Sequence, residues 1–339
     1  MKRHGNLFNK IVSYDNLYLA YTKASKNKST YREIKEFKKN VENNLKDIQT
    51  SLINKTFTTG KYRTKTLYEP KKRTSYILPF SPDRVVQHAL MQVLIPILEP
   101  MFYEHSYACV KGRGPHKGSV RTTACVKRNK YVLKCDVKSF YCSVVHEILK
   151  KQIRRKVKCN DTLWLIDNII DSYPNGRNVP IGNYTSQWFG NFYLTPLDYY
   201  IKQVLKVKDY IRYCDDFVLF SDDKKQLQQY KDQIISFCKN NLDLILSKKE
   251  IFPVARGVDY LGYRHFKHYK LVRKSTAKRT IKRIKAISLN AKKRLLIKFR
   301  GQVASAKGVF KHANSYNLQR YLNIDSIHKR LVIKLHCAS

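Results

Sequence analysis

Tyr210-Ile211-Arg212-Tyr213-Cys214-Asp215-Asp216-Phe217-Val218-Leu219-Phe220 is the stretch on which the reading of this chain turns. Two short runs rich in aromatic and β-branched residues flank a polar step, the pattern of a tight hairpin. Adjacent carboxylates in such surroundings are costly, because both lose water and repel each other unless a cation or a partner offsets the charge. A polar turn is the simpler alternative, since Asp favours turns. A second acid has a similar setting. Tyr131-Val132-Leu133-Lys134-Cys135-Asp136-Val137 reads as a buried strand with a carboxylate near its end, where a helix N-cap is the alternative. Together, Asp136, Asp215 and Asp216 would supply hard oxygen ligands for two divalent ions about 3.5–4 Å apart, an arrangement that activates a hydroxyl nucleophile and stabilises a leaving group. Spacing alone does not bring them together, because 79 positions separate Asp136 from Asp215.

These acids stand in a strongly basic chain. Its 339 residues hold 67 Lys and Arg against 25 Asp and Glu, a formal charge of +42. A hydrophobic content of 43% and an aromatic content of 12% exclude a disordered tail. So much like charge repels itself in a compact state and points to a polyanionic partner, nucleic acid first and an anionic membrane surface second. No run of 18 apolar residues occurs, so no span of a bilayer is expected. The start, Met1-Lys2-Arg3-His4-Gly5, is basic without a following apolar stretch, so no secretory signal is expected either. The eight cysteines, at 109, 125, 135, 142, 159, 214, 238 and 337, form no Cys-x-x-Cys and no zinc spacing. They read as free thiols of a reducing cytoplasm.

Residues 1–60 read as helical and basic, with Tyr31 to Leu52 at helical spacing and Gly60 as a stop. Tyr62–Tyr68 and Thr74–Phe80 read as strands around a turn at Glu69-Pro70-Lys71-Lys72-Arg73. Helices are expected from Pro82-Asp83 to Pro100, over Trp164–Ile170, over Ser186–Leu205 and over Lys225–Asn241. Residues 260–324 hold no Asp or Glu but 18 Lys and Arg, which sets a boundary near 268 before a small basic helical domain capped at Ser275-Thr276.

Six ordered blocks carry a family resemblance. Tyr213-Cys214-Asp215-Asp216 resembles the Tyr-x-Asp-Asp motif of reverse transcriptases. Asp83-Arg84-Val85-Val86-Gln87-His88-Ala89-Leu90 resembles their fingers helix. Ser106-Tyr107-Ala108-Cys109, with Lys111-Gly112-Arg113-Gly114 and His116, resembles the next block. Lys134 to Tyr141 resembles the first palm motif, Ile181 to Gln187 the following one, and Gly257 to Arg264 the primer-grip segment. Most relatives have Gln-Gly-x-x-x-Ser-Pro where this chain has Ile181-Gly182 and Ser186-Gln187, a departure similar to the enzymes of diversity-generating retroelements.

The resemblance implies an α+β right-hand polymerase. Residues 1–60 would be an N-terminal helical segment, 61–130 fingers, 131–268 a palm of antiparallel sheet and packed helices with fingers elements interleaved, and 269–339 a helical basic thumb. It implies an error-prone RNA-directed DNA polymerase that copies an RNA template from a DNA or RNA primer with dNTPs. Asp136, Asp215 and Asp216, with the Val137 carbonyl, would hold two Mg²⁺ ions, Mn²⁺ being an alternative. Lys71 and Arg73 would meet the triphosphate. The Tyr141 ring would exclude a ribose 2′-hydroxyl, and Ile181, Gly182 and Gln187 would face the incoming nucleotide. Ile181 cannot make the hydrogen bond of the usual Gln, which implies misincorporation opposite template adenine. Leu261, Gly262 and Tyr263 would grip the primer. Where many relatives have a Lys that protonates pyrophosphate, the register gives Glu250, with Lys249 beside it. The basic tail would track a nucleic-acid backbone, and a small helical accessory protein is an implied partner. An ordinary-fidelity relative from a group II intron or retron and a non-catalytic nucleic-acid scaffold remain alternatives. Ile181 and Gln187 argue against the first, the intact acid set against the second.

Overall fold

The computed structural model describes residues 3–68 and 72–337, an α+β fold of three antiparallel sheets with helices packed around them. Lys71, with Glu69 and Pro70 of the expected turn, lies outside the described residues. The chain opens with α1 (Phe8–Val12), α2 (Tyr14–Ser25), α3 (Arg32–Lys39) and α4 (Val41–Ile53). The single helix expected over Tyr31–Leu52 is two, because Asn40, at φ −144 and ψ 63, leaves helical geometry. That break lets Phe37 and Leu45 enter one core. A hairpin follows, β1 (Arg63–Leu67) with β2 (Arg73–Ile77), exposed along most of its length. Then come the largely buried α5 (Val85–Leu98) and α6 (Pro115–Arg128), which starts on a proline whose missing N–H costs a first turn nothing.

The central sheet is built from β3 (Tyr131–Val137), β4 (Asp209–Tyr213), β5 (Asp216–Ser221) and β6 (Leu246–Pro253), in the order β4-β5-β3-β6 and antiparallel throughout. Between β3 and β4 lie α7 (Phe140–Ser143), α8 (His146–Arg154), α9 (Asn160–Asp171), α10 (Tyr184–Tyr193) and α11 (Thr195–Tyr199), and α12 (Lys224–Leu242) joins β5 to β6. The long helix expected over Ser186–Leu205 is instead α10, α11 and a π turn, with the break at Leu194 just before Pro196, which has no N–H for the helical ladder. Both faces of the sheet are buried. Leu133, Cys135, Val137, Phe217 and Leu219 join the main core. Val132, Ile211, Val218 and Phe220 join a second core with Val258 and Tyr260. Two-sided burial is why these strands read as unbroken apolar runs.

Over the second core lies a small antiparallel sheet, β7 (Val258–Tyr260), β8 (Tyr263–His265) and β9 (Lys270–Val272). Position 268 falls in the loop between β8 and β9, so this sheet spans the compositional break. The last helices, α13 (Lys274–Lys285), α14 (Lys293–Phe310), α15 (Tyr316–Tyr321) and α16 (Ile324–His336), close on a core of their own around Ile284, Val303, Phe310 and Leu331. Arg273, not Ser275, is the N-cap of α13, so Ser275 and Thr276 lie within its first turn. All eight cysteines are free thiols. Among the described residues no helix is long and apolar enough to cross a membrane.

Candidate active site

Strand pairing closes the 79-position gap. Tyr213 stands opposite Asp216, Asp216 opposite Asp136, and Asp136 opposite Lys248, one row across all four central strands. Side chains directly opposite in antiparallel strands share a face. Both carboxylates and the Lys248 ammonium group therefore lie on one side of the sheet, at the end where the β4–β5 hairpin turns. Asp215 sits in that turn, after Cys214, whose φ of 53 is left-handed.

Asp215 and Asp216 are harder to ionise than free carboxylates. Asp216 is pushed up to about 6, first by burial and then by the charges of Asp136 and Asp215, against the pull of Lys134 and Arg273. Asp215 is raised by burial and by Asp136, and the positive charges of Arg73 and Arg212 oppose this. One carboxylate oxygen of Asp216, Oδ1, is buried without a hydrogen-bond partner. Asp136 accepts a hydrogen bond on Oδ2 from the Ser247 hydroxyl at 2.9 Å. An unpartnered buried oxygen beside two further acids fits a hard dication, which would offset the repulsion and fill the empty acceptor. Among the described residues no group of three or more Asp, Glu, His or Cys side chains is placed to hold a metal ion. The fit therefore rests on the paired carboxylates alone, and Mg²⁺ is commonly held by one or two carboxylates with substrate phosphates and water completing the shell.

The other expected site residues divide. Arg73 begins the exposed β2, and its charge reaches Asp215. Phe140 is in the core, while Tyr141 is half-buried against Gly190, near Cys214, Cys109 and Asp215. Gln187 is exposed, and its side-chain oxygen accepts from the Cys109 thiol at 3.8 Å. Ile181 is part-buried and its carbonyl accepts from the Tyr76 N–H of β2 at 2.7 Å. The close approach that Gly182 permits is to this same strand: a Cβ there would stand 2.1 Å from the Tyr76 carbonyl oxygen. Leu261 and Gly262 form the positive-φ turn between β7 and β8. Leu261 packs over Gly118 of α6, and the Gly262 carbonyl accepts from Arg273 N at 2.9 Å. Tyr263 is 2% exposed, its hydroxyl 3.1 Å from both His116 Nδ1 and the Val309 carbonyl. Its side chain supports the turn from inside and presents no ring to a ligand.

Two residues here escape a reading of the sequence. The chain bulges where the β3–β6 register shifts between Asp136 and Val137, and Ser247 falls in that bulge. The same shift puts Lys248 level with Asp136 and leaves Glu250 opposite Lys134. No local signal marks a bulge in Ser247-Lys248-Lys249-Glu250, because register is a property of the pair of strands.

Paired acids at one end of an antiparallel sheet, flanked by a strongly basic surface, are a layout suited to phosphoryl chemistry on nucleic acid. The chain belongs to the reverse transcriptase (RNA-dependent DNA polymerase) family, whose model matches residues 68–265, more than half of its length. Protein YkfC of Escherichia coli (strain K12) is 25% identical over 235 residues, which cover 55% of this chain and 61% of YkfC. The chain thus spans about three fifths of the length of that curated relative. A telomerase structure from Candida albicans, in complex with a TWJ fragment of telomeric RNA, aligns with a TM-score of 0.47 and 12% identity over 86% of this chain and 64% of that one.

Proposed function

We propose that this protein is an RNA-directed DNA polymerase that extends a primer along an RNA template with dNTPs. The observation that carries the reading is the row Tyr213–Asp216–Asp136–Lys248 with Asp215 in the adjoining turn. In this reading the central sheet is the palm, the β1–β2 hairpin with the helices around it the fingers, and α13–α16 the thumb. Asp136, Asp215 and Asp216, with the Val137 carbonyl, hold two Mg²⁺ ions, or Mn²⁺ in their place. Bound there, the ions lower the pKa of the primer 3′-hydroxyl and stabilise the departing pyrophosphate. Arg73 and Lys71 take the triphosphate, Lys248 stands level with Asp136 to meet negative charge, and the Tyr141 ring fills the space of a 2′-hydroxyl. Leu261 and Gly262, steadied by the buried Tyr263, guide the primer, while the cations of α13 follow the backbone.

The finer reading is an error-prone enzyme of the diversity-generating type, working in the cytoplasm with a small helical accessory protein. Ile181-Gly182 and Ser186-Gln187 support it, since an aliphatic side chain cannot supply the hydrogen bond of a Gln at that place. Purified protein given primed RNA, dNTPs and Mg²⁺ is expected to extend the primer. The double variant Asp215→Ala, Asp216→Ala is expected to stay folded and lose extension, and undiminished synthesis in it would overturn the assignment.

A further inference from the structure

The turn that carries Asp215 is held at the backbone from both faces of the sheet. Cys214 is left-handed at φ 53, a conformation disfavoured for any residue with a Cβ. On the main-core face, Arg212 Nη1 donates to the Cys214 carbonyl at 3.0 Å. On the opposite face, the Tyr260 hydroxyl donates to the Asp216 carbonyl at 2.8 Å. These are the carbonyls of the residues on either side of Asp215.

The Arg212 side chain is fully buried, and its surroundings aim it. Nε and Nη2 donate to the two oxygens of Asp198 at 2.7 and 2.5 Å, and Nη1 also donates to Asn191 Oδ1 at 2.7 Å. Tyr210 donates its hydroxyl to Asp198 at 2.7 Å, and Asn191 donates to the Ala108 carbonyl at 3.0 Å. A buried ion pair is a poor source of stability, because desolvation offsets the attraction. What such a pair supplies well is a fixed direction, and here the direction ends on the turn.

We propose that Arg212 and Tyr260 are positioning residues, a two-sided clamp on the backbone around Asp215 that sets where the carboxylates of Asp215 and Asp216 stand. The proposal rests on the polymerase reading of this site. Neither residue touches substrate. Their effect is expected on turnover and on cation binding, with little effect on the hold on primer and template.

The test separates position from stability. A triple variant, Arg212→Met with Asp198→Leu and Tyr210→Phe, replaces the buried polar group by apolar side chains, an exchange that is commonly neutral or stabilising. It is expected to melt like the parent, while kcat for single-nucleotide addition falls about ten- to hundredfold. KM for the nucleotide and Kd for primer–template should change much less, and Mn²⁺ binding, followed by electron paramagnetic resonance without substrate, should weaken. Tyr260→Phe removes one O–H and is expected to cost about two- to tenfold in kcat. Arg212→Lys, with a donor retained, should recover part of the loss. A stable triple variant with parental kcat and Mn²⁺ affinity would overturn the clamp. If the triple variant does not fold, parental kcat and Mn²⁺ binding in Tyr260→Phe overturn it instead. A parent that extends no primer defeats the polymerase reading, and unweakened Mn²⁺ binding in Tyr260→Phe then defeats the clamp as well.

Discussion

Gly182→Ala puts the junction between the exposed hairpin and the Ile181 loop to a sharp test. Gly182 has φ 125, where a Cβ is strained whatever the space around it. The added methyl would lie 2.1 Å from the Tyr76 carbonyl oxygen, and a real Cβ needs at least 3.0 Å, so β2 must retreat by nearly 1 Å. The backbone conformation alone costs about 1–3 kcal/mol. The retreat also pulls on the 2.7 Å hydrogen bond from Tyr76 N to the Ile181 carbonyl, the link that sets the hairpin against the loop. Arg73 lies three residues before Tyr76 on the same strand and moves with it. Misplacement by about 1 Å commonly costs on the order of a hundredfold in a reaction that depends on alignment. Single-nucleotide addition at varied dNTP concentration should therefore show kcat/KM lowered about ten- to hundredfold, and denaturant melts should show stability reduced by about 1–3 kcal/mol. Parental kcat/KM together with parental stability would mean that β2 yields freely and that the junction places nothing.

Three further outcomes follow from the geometry. His265 is buried between Thr123 and the Tyr260 carbonyl, and burial lowers it to about 4. The unfolded chain takes up this proton near pH 6.5, so the stability contribution is complete above that value and is lost as pH falls toward 4. The loss is on the order of 3 kcal/mol, and melts from pH 7.5 to 4.5 should show a smaller loss in His265→Gln than in the parent. RNA affinity should fall linearly in log–log form with salt, at about 0.7–0.9 per neutralised phosphate; Lys278→Gln and Lys282→Gln on α13 should each lower the slope by about one, and an unchanged slope would remove α13 from the interface. Ile181→Gln should lower misincorporation opposite template adenine about two- to tenfold, the worth of one hydrogen bond, as read by sequencing cDNA from one adenine-rich template; equal error would make Ile181 a packing residue only.

Much of the fold was legible because it depends on local terms. Val132, Leu133 and Cys135, like Phe217, Val218 and Leu219, are buried on both sides of one sheet, and such strands announce themselves as short apolar runs. The acids were legible because carboxylates are costly in that company. Helix ends were less so: Asn40 and Leu194 break two helices that apolar spacing alone would continue, since spacing records which face is buried and says little about where the axis turns.

By itself, then, the sequence determined the charge that calls for a polyanion, the strands, and the presence of Asp136, Asp215 and Asp216 in apolar surroundings. Only the tertiary structure decided that Asp136 faces Asp216, that a bulge brings Ser247 onto Asp136 and Lys248 level with it, that Gly182 bears on β2, and that Arg212 and Tyr260 grip the turn from opposite faces. The reason is physical. Burial and hydrogen-bonding preference are written residue by residue, whereas register between strands far apart in the chain is settled by the pairing itself, and a shift of one residue carries every side chain to the other face.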